Sequence, residues 1–379
     1  MTMENGQQRN PCIELLRIVS MLGIVLAHVA AFGPWIYKTD AVTVFSWKGA
    51  LWQTIDIFGQ VGVTVFTLIS AYFLCNRLKK SFKKNIIHTW LRVIAVTLPF
   101  FVLRLLFGAF SIETCPSFLD FLQSVFPIIY NQYWYATAYI TLLIFLPFVN
   151  AFCSSLTYIE LKRFTGALFA VVFVWKLINP SISNFTDVLY LFVIYLIGCI
   201  IRRQVDAGQK PLSFGITFLI VLACFLFTFL GSIFVRSDNW LTQHFNYPIN
   251  LFGAGSGASP LFSVIAGSAI FSHVVKSGYS GLSNRINDTI RKIAEQMFYV
   301  YLIHLNPHFC TLCLNKFYSI AQPYGLAATV VALISRTLII FIISFIVSIV
   351  IDKIVYILID KCYRLVVDRF ETIHINKNM

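Results

Sequence analysis

The chain has 379 residues, of which 58% are hydrophobic and only 12% charged, and its formal net charge is +13. Soluble domains carry about a quarter charged residues and less than half apolar ones, so with a mean hydropathy of +0.78 a water-soluble globule is excluded. No stretch outside the apolar blocks is long enough to bury a core of its own, which leaves a single membrane-embedded domain over residues 1–379, with short tails at 1–12 and 353–379.

A helix that crosses a bilayer uses about 20 mainly apolar residues. Apolar runs of that order predict an all-α, polytopic protein with ten spans, at 13–33, 52–75, 87–108, 134–152, 164–179, 185–201, 211–235, 258–275, 293–315 and 326–352. The block from Phe118 to Tyr130 is apolar but short and broken by Pro127, which fits a re-entrant or interfacial segment better than a span. Cytoplasmic loops retain Lys and Arg. With the N-terminus inside, the inner segments hold 20 of the 29 Lys and Arg and the outer ones 5, so both termini are expected to be cytoplasmic. Topology thus accounts for most of the excess charge, and no nucleic-acid partner is required. One alternative is a cleaved signal peptide with Val29 and Ala31 flanking the cut, but Glu4 and Glu14 spoil its basic start. The nine cysteines are scattered through the spans as small apolar filler, and Cys310-x-x-Cys313 stands without a second pair, so no metal is expected.

An ionisable side chain at membrane depth is costly and marks a functional candidate. In the first span Arg17 and His28 are eleven residues apart. At about 100° per residue they return to within about 20° of one face, separated by a rise of about 16 Å. Glu14, one turn before Arg17, offers it a purely structural ion pair, and His28 is either a base or a buried neutral imidazole. Asp56, at the outer end of the second span, lies at a depth from which it could orient His28, or is an exposed interfacial acid. Gly59, Gly62, Ser70 and Ala71 would let helices approach closely. Arg92, with His88, follows the cationic segment 77–84, where it either clamps phosphate or meets acidic headgroups. Tyr133, Trp134 and Tyr135 open the fourth span as a sugar-stacking platform or an aromatic belt. Further on come Glu295, Tyr301, His304 and His308 in the ninth span and Arg336 deep in the last.

Several of these residues together resemble acyltransferase family 3, integral-membrane O-acyltransferases of bacterial surface polysaccharides and peptidoglycan. Arg17 to His28 matches the family's R-x10-H element, and Gly62-Val-Thr-Val-Phe66 through Ser70-Ala71-Tyr72 is similar to its second-helix motif. Leu91-Arg92 resembles its third-helix arginine element, Trp134-Tyr135 with Tyr139 and Pro147 its W-F/Y helix, and Tyr301-Leu-Ile-His304 its late I-Y-L-x-H motif. Ala71 stands where the family usually has glycine, and Thr89 where an R-x-x-R pair would begin.

The resemblance implies a multi-pass protein of the bacterial cytoplasmic membrane with no bound cofactor. It would move an acyl group, acetyl in the simplest case, from acyl-CoA to a hydroxyl of a surface glycan or its lipid-linked precursor. Arg17 and Arg92 would then bind the donor phosphates, His28 with Asp56 would act as the base, and Trp134, Tyr135, Tyr301 and His304 would position the reactants. A proton-coupled exporter of a lipid-linked saccharide, using His28, Asp56 and Arg336 as a relay, is the alternative from another class. A glycan polymerase would be expected to carry a large cationic outer loop, and here the outer loops are short and cation-poor.

Overall fold

A computed structural model describes residues 10–33, 46–76, 82–110, 112, 114–179, 187–237, 240–244, 247–248, 250–252, 258–277, 283–309 and 325–375, with the backbone alone at 241, 243 and 354–375. The described residues form helices and no strands. In chain order the α-helices of eight or more residues are α1 (Pro11–Phe32), α2 (Trp47–Thr54), α3 (Asp56–Leu74), α4 (Lys83–Ala109), α5 (Phe118–Val125), α6 (Trp134–Ser155) and α7 (Tyr158–Phe169). They are followed by α8 (Asp187–Asp206), α9 (Phe214–Arg236), α10 (Leu261–Lys276), α11 (Asn284–Glu295), α12 (Met297–His304) and α13 (Leu326–Ile375).

Local chemistry sets the ends. Asn10 Oδ1 accepts the Cys12 N–H at 2.9 Å and Pro11 occupies the first turn of α1, where a missing N–H costs nothing. Thr157 and Glu160 cap α7 reciprocally.

Among the described residues seven segments are long and apolar enough to cross a membrane, rather than ten. They are α1, α2 with α3, α4, α6, α8, α9 and α13 up to Lys353. The other three expected spans coincide with helices that are short or interrupted. The span at 164–179 runs through a π-helical turn at Ala170–Val174, α10 has only 16 residues, and the ninth breaks at Gln296 between α11 and α12. Hydropathy registers apolarity but not these interruptions. The tail expected after 353 continues as backbone helix to Ile375, and the block at 118–130 is a short helix, α5, followed by turns.

Burial separates central from peripheral helices. The apolar window of α2–α3 is 56% buried, against 22% for α4 and α9. Val102, Leu106, Phe227, Leu230, Val331 and Ile346 on α4, α9 and α13 are exposed. Such a surface would aggregate in water, but it is ordinary against lipid. At the centre, α3 packs on α1, α8 and α10, and the α1–α3 contact is the most extensive in the molecule.

Small residues make that contact possible. A Cβ on Gly62 would lie 2.5 Å from the Ser20 carbonyl oxygen, and one on Gly59 would lie 2.6 Å from Ala27 Cβ. Both glycines therefore let two backbones meet, as the sequence suggested. Ala71 is accommodated differently: a Cβ on Gly198 of α8 would lie 2.4 Å from Ala71 Cβ, so the missing methyl is on the facing helix.

Candidate active site

His28 lies one turn before the end of α1, and His304 is the last residue of α12. His28 Nδ1 and His304 Nε2 are 2.9 Å apart, and His304 Nδ1 is 2.6 Å from the Val300 carbonyl oxygen. The partners fix the tautomers. A carbonyl only accepts, so His304 Nδ1 carries the hydrogen, and in the neutral ring Nε2 is left as an acceptor. His28 Nδ1–H must then donate to it, which leaves the lone pair of His28 Nε2 available as a base. His304 is buried, whereas His28 is only half-buried and stacks on Phe32.

The described hydrogen-bond partner of His28 is thus an imidazole. Ala27 faces Gly59 of α3, and its neighbour His28 points about 100° away, toward α12. Asp56 opens α3 and acts electrostatically on Arg236 of α9, whose guanidinium bonds Gln53 and the Ser232 carbonyl.

Inward from His28 a single stripe of α1 runs through Ile24 and Met21 to Arg17, at the i, i+4, i+7 and i+11 spacing of one helix face. A small cavity of about 10 Å³ lies along it, walled by Met21, Ile24, Val63, Phe66, Tyr135, Phe298 and Tyr301. Both ends of the stripe are therefore polar and its middle is apolar. A wider groove of about 240 Å³ on another face, between α1 and α13, is lined by Val19, Leu22, Leu26, Phe58, Ile334 and Leu338. Its one hydroxyl, on Thr337, is bonded to the Leu333 carbonyl, so it presents no chemistry.

At the inner end Arg17 pairs with buried Glu14 at 2.7 Å, the structural contact foreseen from their spacing. Its field also reaches Tyr135 and Tyr139, while Arg92 acts on Tyr139 and lies over the Tyr299 ring at 5.5 Å. Arg17 and Arg92, 75 positions apart in the chain, thus converge on Tyr139. The Ser70-Ala71-Tyr72 motif supports the same region: Ser70 acts on Tyr139, Ala71 seats Gly198, and Tyr72 lies under the Arg202 guanidinium at 4.8 Å.

Tyr135 and Tyr301 are core residues in edge-to-face contact, so Tyr135 does not belong to an exposed aromatic belt. Trp134 is partly buried and packs on Tyr135 and Tyr190. Tyr133 Oη accepts from Asn306 Nδ2 at 2.9 Å, and Asn306 Oδ1 accepts the His308 and Phe309 N–H groups. Neither Asn306 nor the apolar wall residues Met21, Ile24 and Phe298 stood out in the sequence. The stripe spacing would have found Met21 and Ile24, but nothing local marks Asn306.

A second polar cluster joins Arg104, Asp120, Ser124 and His308. Arg104 Nη1 donates to His308 Nδ1 at 3.1 Å, so Nε2 carries the hydrogen and donates to Ser124 Oγ at 3.3 Å. Ser124 Oγ in turn donates to the Asp120 carbonyl at 2.7 Å. The hydroxyl is therefore not activated as a nucleophile, and the cluster ties α5 to α4. Of the cysteines, 75, 153 and 199 come together where α3, α6 and α8 meet, one turn or less from the Asn150–Tyr195 and Asn150–Leu74 hydrogen bonds. Cys310 and Cys313 lie outside the described residues.

Among the described residues, then, a helical membrane bundle carries a hydrogen-bonded histidine pair at one end of the α1 stripe and two arginines near its other end. The family comparison is more specific. Residues 10–353 match the family model described as acyltransferase domain, and the chain belongs to that family, acyltransferase family 3. The protein is a membrane acyltransferase. No curated protein and no solved structure matches it.

Proposed function

We propose that the protein transfers an acyl group, acetyl in the simplest case, from acyl-CoA to a hydroxyl of a cell-surface polysaccharide or its lipid-linked precursor in the bacterial cytoplasmic membrane. The donor's phosphates bind Arg17 and Arg92, and its pantetheine arm extends along the Arg17–His28 stripe so that the thioester lies at the histidine pair. His28 Nε2 takes the proton from the acceptor hydroxyl as the oxygen attacks the thioester carbon. The C–S bond then breaks, and the proton passes from His28 to the departing CoA sulfur. His304 holds the His28 tautomer that makes this possible, the role a carboxylate has in a Ser-His-Asp triad.

The observation that carries this reading is the His28–His304 hydrogen bond at 2.9 Å, with His304 Nδ1 committed to Val300. Mass spectrometry of the host's surface glycans with and without the gene tests it. The expected result is loss of a base-labile acyl mass with glycan abundance unchanged. Unchanged acylation with less glycan at the surface would instead favour an exporter.

A further inference from the structure

Gln60 lies one turn into α3. Its Oε1 accepts the Tyr190 hydroxyl of α8 at 3.2 Å, and its backbone carbonyl accepts from Thr64 Oγ1 at 2.8 Å. With Oε1 occupied by the phenol, the two N–H donors of Nε2 remain, and no described residue accepts from them. The side chain is partly exposed, so these donors are not sealed off. The Trp134 indole packs beside the same phenol, with ring centroids 6.4 Å and planes 32° apart, and it too is partly exposed.

Helix geometry places this group beside the base. Ile24 of α1 and Val63 of α3 wall the same small cavity. The two helices are antiparallel, because Gly59 meets Ala27 while Gly62 meets Ser20 and Ile24. His28 is one turn beyond Ile24 and Gln60 one turn before Val63, so both steps lead to the same end of the bundle, on the same side of the α1–α3 contact. Trp134 and Tyr190 lie in the first turns of α6 and α8 at that end. A base, an amide with accessible donors and an indole face are therefore brought together there, away from Arg17. A tie between α3 and α8 would use only the Gln60–Tyr190 bond, and it gives no part to the amide donors or the indole.

We propose that Gln60 and Trp134 form the acceptor subsite, which holds a sugar ring of the glycan with one hydroxyl at His28 Nε2. The inference rests on the acyl-transfer reading and adds the acceptor's binding site to it. Gln60 Nε2 donates to a hydroxyl or ring oxygen of the sugar, and the Trp134 face packs against the ring's C–H face. Tyr190 is a positioning residue that holds the amide with its donors exposed. A saccharide needs both kinds of contact, because its ring is apolar across its faces and hydroxylated at its rim. No bond is made or broken at either residue: the hydroxyl proton goes to His28 and the acyl group to the hydroxyl oxygen. A site that pairs with a substrate hydroxyl also rejects analogues that lack it.

The test uses purified protein in nanodiscs, acetyl-CoA as donor and, as acceptor, the host's surface polysaccharide stripped of its ester groups by mild alkali. Gln60→Leu is expected to raise KM for the polysaccharide by about three- to tenfold, the weight of one hydrogen bond, and Trp134→Leu is expected to raise it too. KM for acetyl-CoA is expected to stay at the wild-type value in both. Tyr190→Phe keeps the amide donors and releases their anchor, so it is expected to give a smaller rise. If Gln60 only ties α3 to α8, Gln60→Leu and Tyr190→Phe lose melting temperature alike and leave KM for the polysaccharide unchanged. That result overturns the subsite while acyl transfer stands. Absence of transfer by the wild-type protein itself overturns the acyl-transfer reading.

Discussion

Replacement of His28 by alanine is expected to lower acyl transfer by about 10²–10⁴-fold, the usual contribution of a positioned general base, while the protein stays folded in the membrane. The side chain is only half-buried, and its hydrogen bond is to one neighbour. Its loss therefore removes no central packing. His304→Ala is expected to cost less, because the base remains and only its tautomer and orientation are released. Asp56→Asn is expected to leave turnover within a few-fold of wild type, since Asp56 acts on Arg236 and the described partner of His28 is His304. Transfer measured with purified variants of matched melting temperature checks all three. The order His28, then His304, then Asp56 distinguishes a histidine pair from a His–Asp pair.

Arg17→Ala is expected to raise KM for acyl-CoA by about tenfold or more, equivalent to at least about 1.4 kcal/mol of lost binding, with a smaller change in kcat. A lysine at this position restores little, because a point charge does not reproduce the planar fork that grips a phosphate. Arg17 is also the ion-pair partner of Glu14, so loss of function alone would not separate donor binding from structural support. Glu14→Gln makes the separation. It removes the ion pair and keeps the guanidinium, so the account expects KM near wild type. If Arg17 serves only Glu14, the two variants behave alike in both KM and melting temperature.

Much of this site is written in short-range spacing. The Arg17–His28 separation places both residues on one face of any straight helix, whatever surrounds it, and the structure extends that face through Met21 and Ile24 along a cavity. The Gly59 and Gly62 contacts were legible for the same reason, since a small residue within a span implies a close neighbour. What the sequence did not contain was the identity of partners. His304 is 276 positions from His28, so nothing local in the sequence brings the two together. The convergence of Arg17 and Arg92 on Tyr139, and the meeting of three cysteines read as scattered filler, likewise depend on how α3, α6 and α8 assemble. The expected and observed long helices differ where apolar sequence does not make an uninterrupted helix, at Ala170–Val174 and at Gln296.

The central claim is that the donor's acyl end lies beside His28 within the bundle, with the donor laid along the Arg17–His28 stripe of α1. Photo-crosslinking of the purified protein with an acyl-CoA carrying a diazirine in its acyl chain, followed by peptide mapping, tests this directly. The account predicts adducts on cavity residues such as Met21, Tyr135, Phe298 and Tyr301, competed away by CoA and lost in Arg17→Ala. Adducts confined to the lipid-facing groove at Val19, Leu26 and Leu338, or insensitive to CoA, would contradict it.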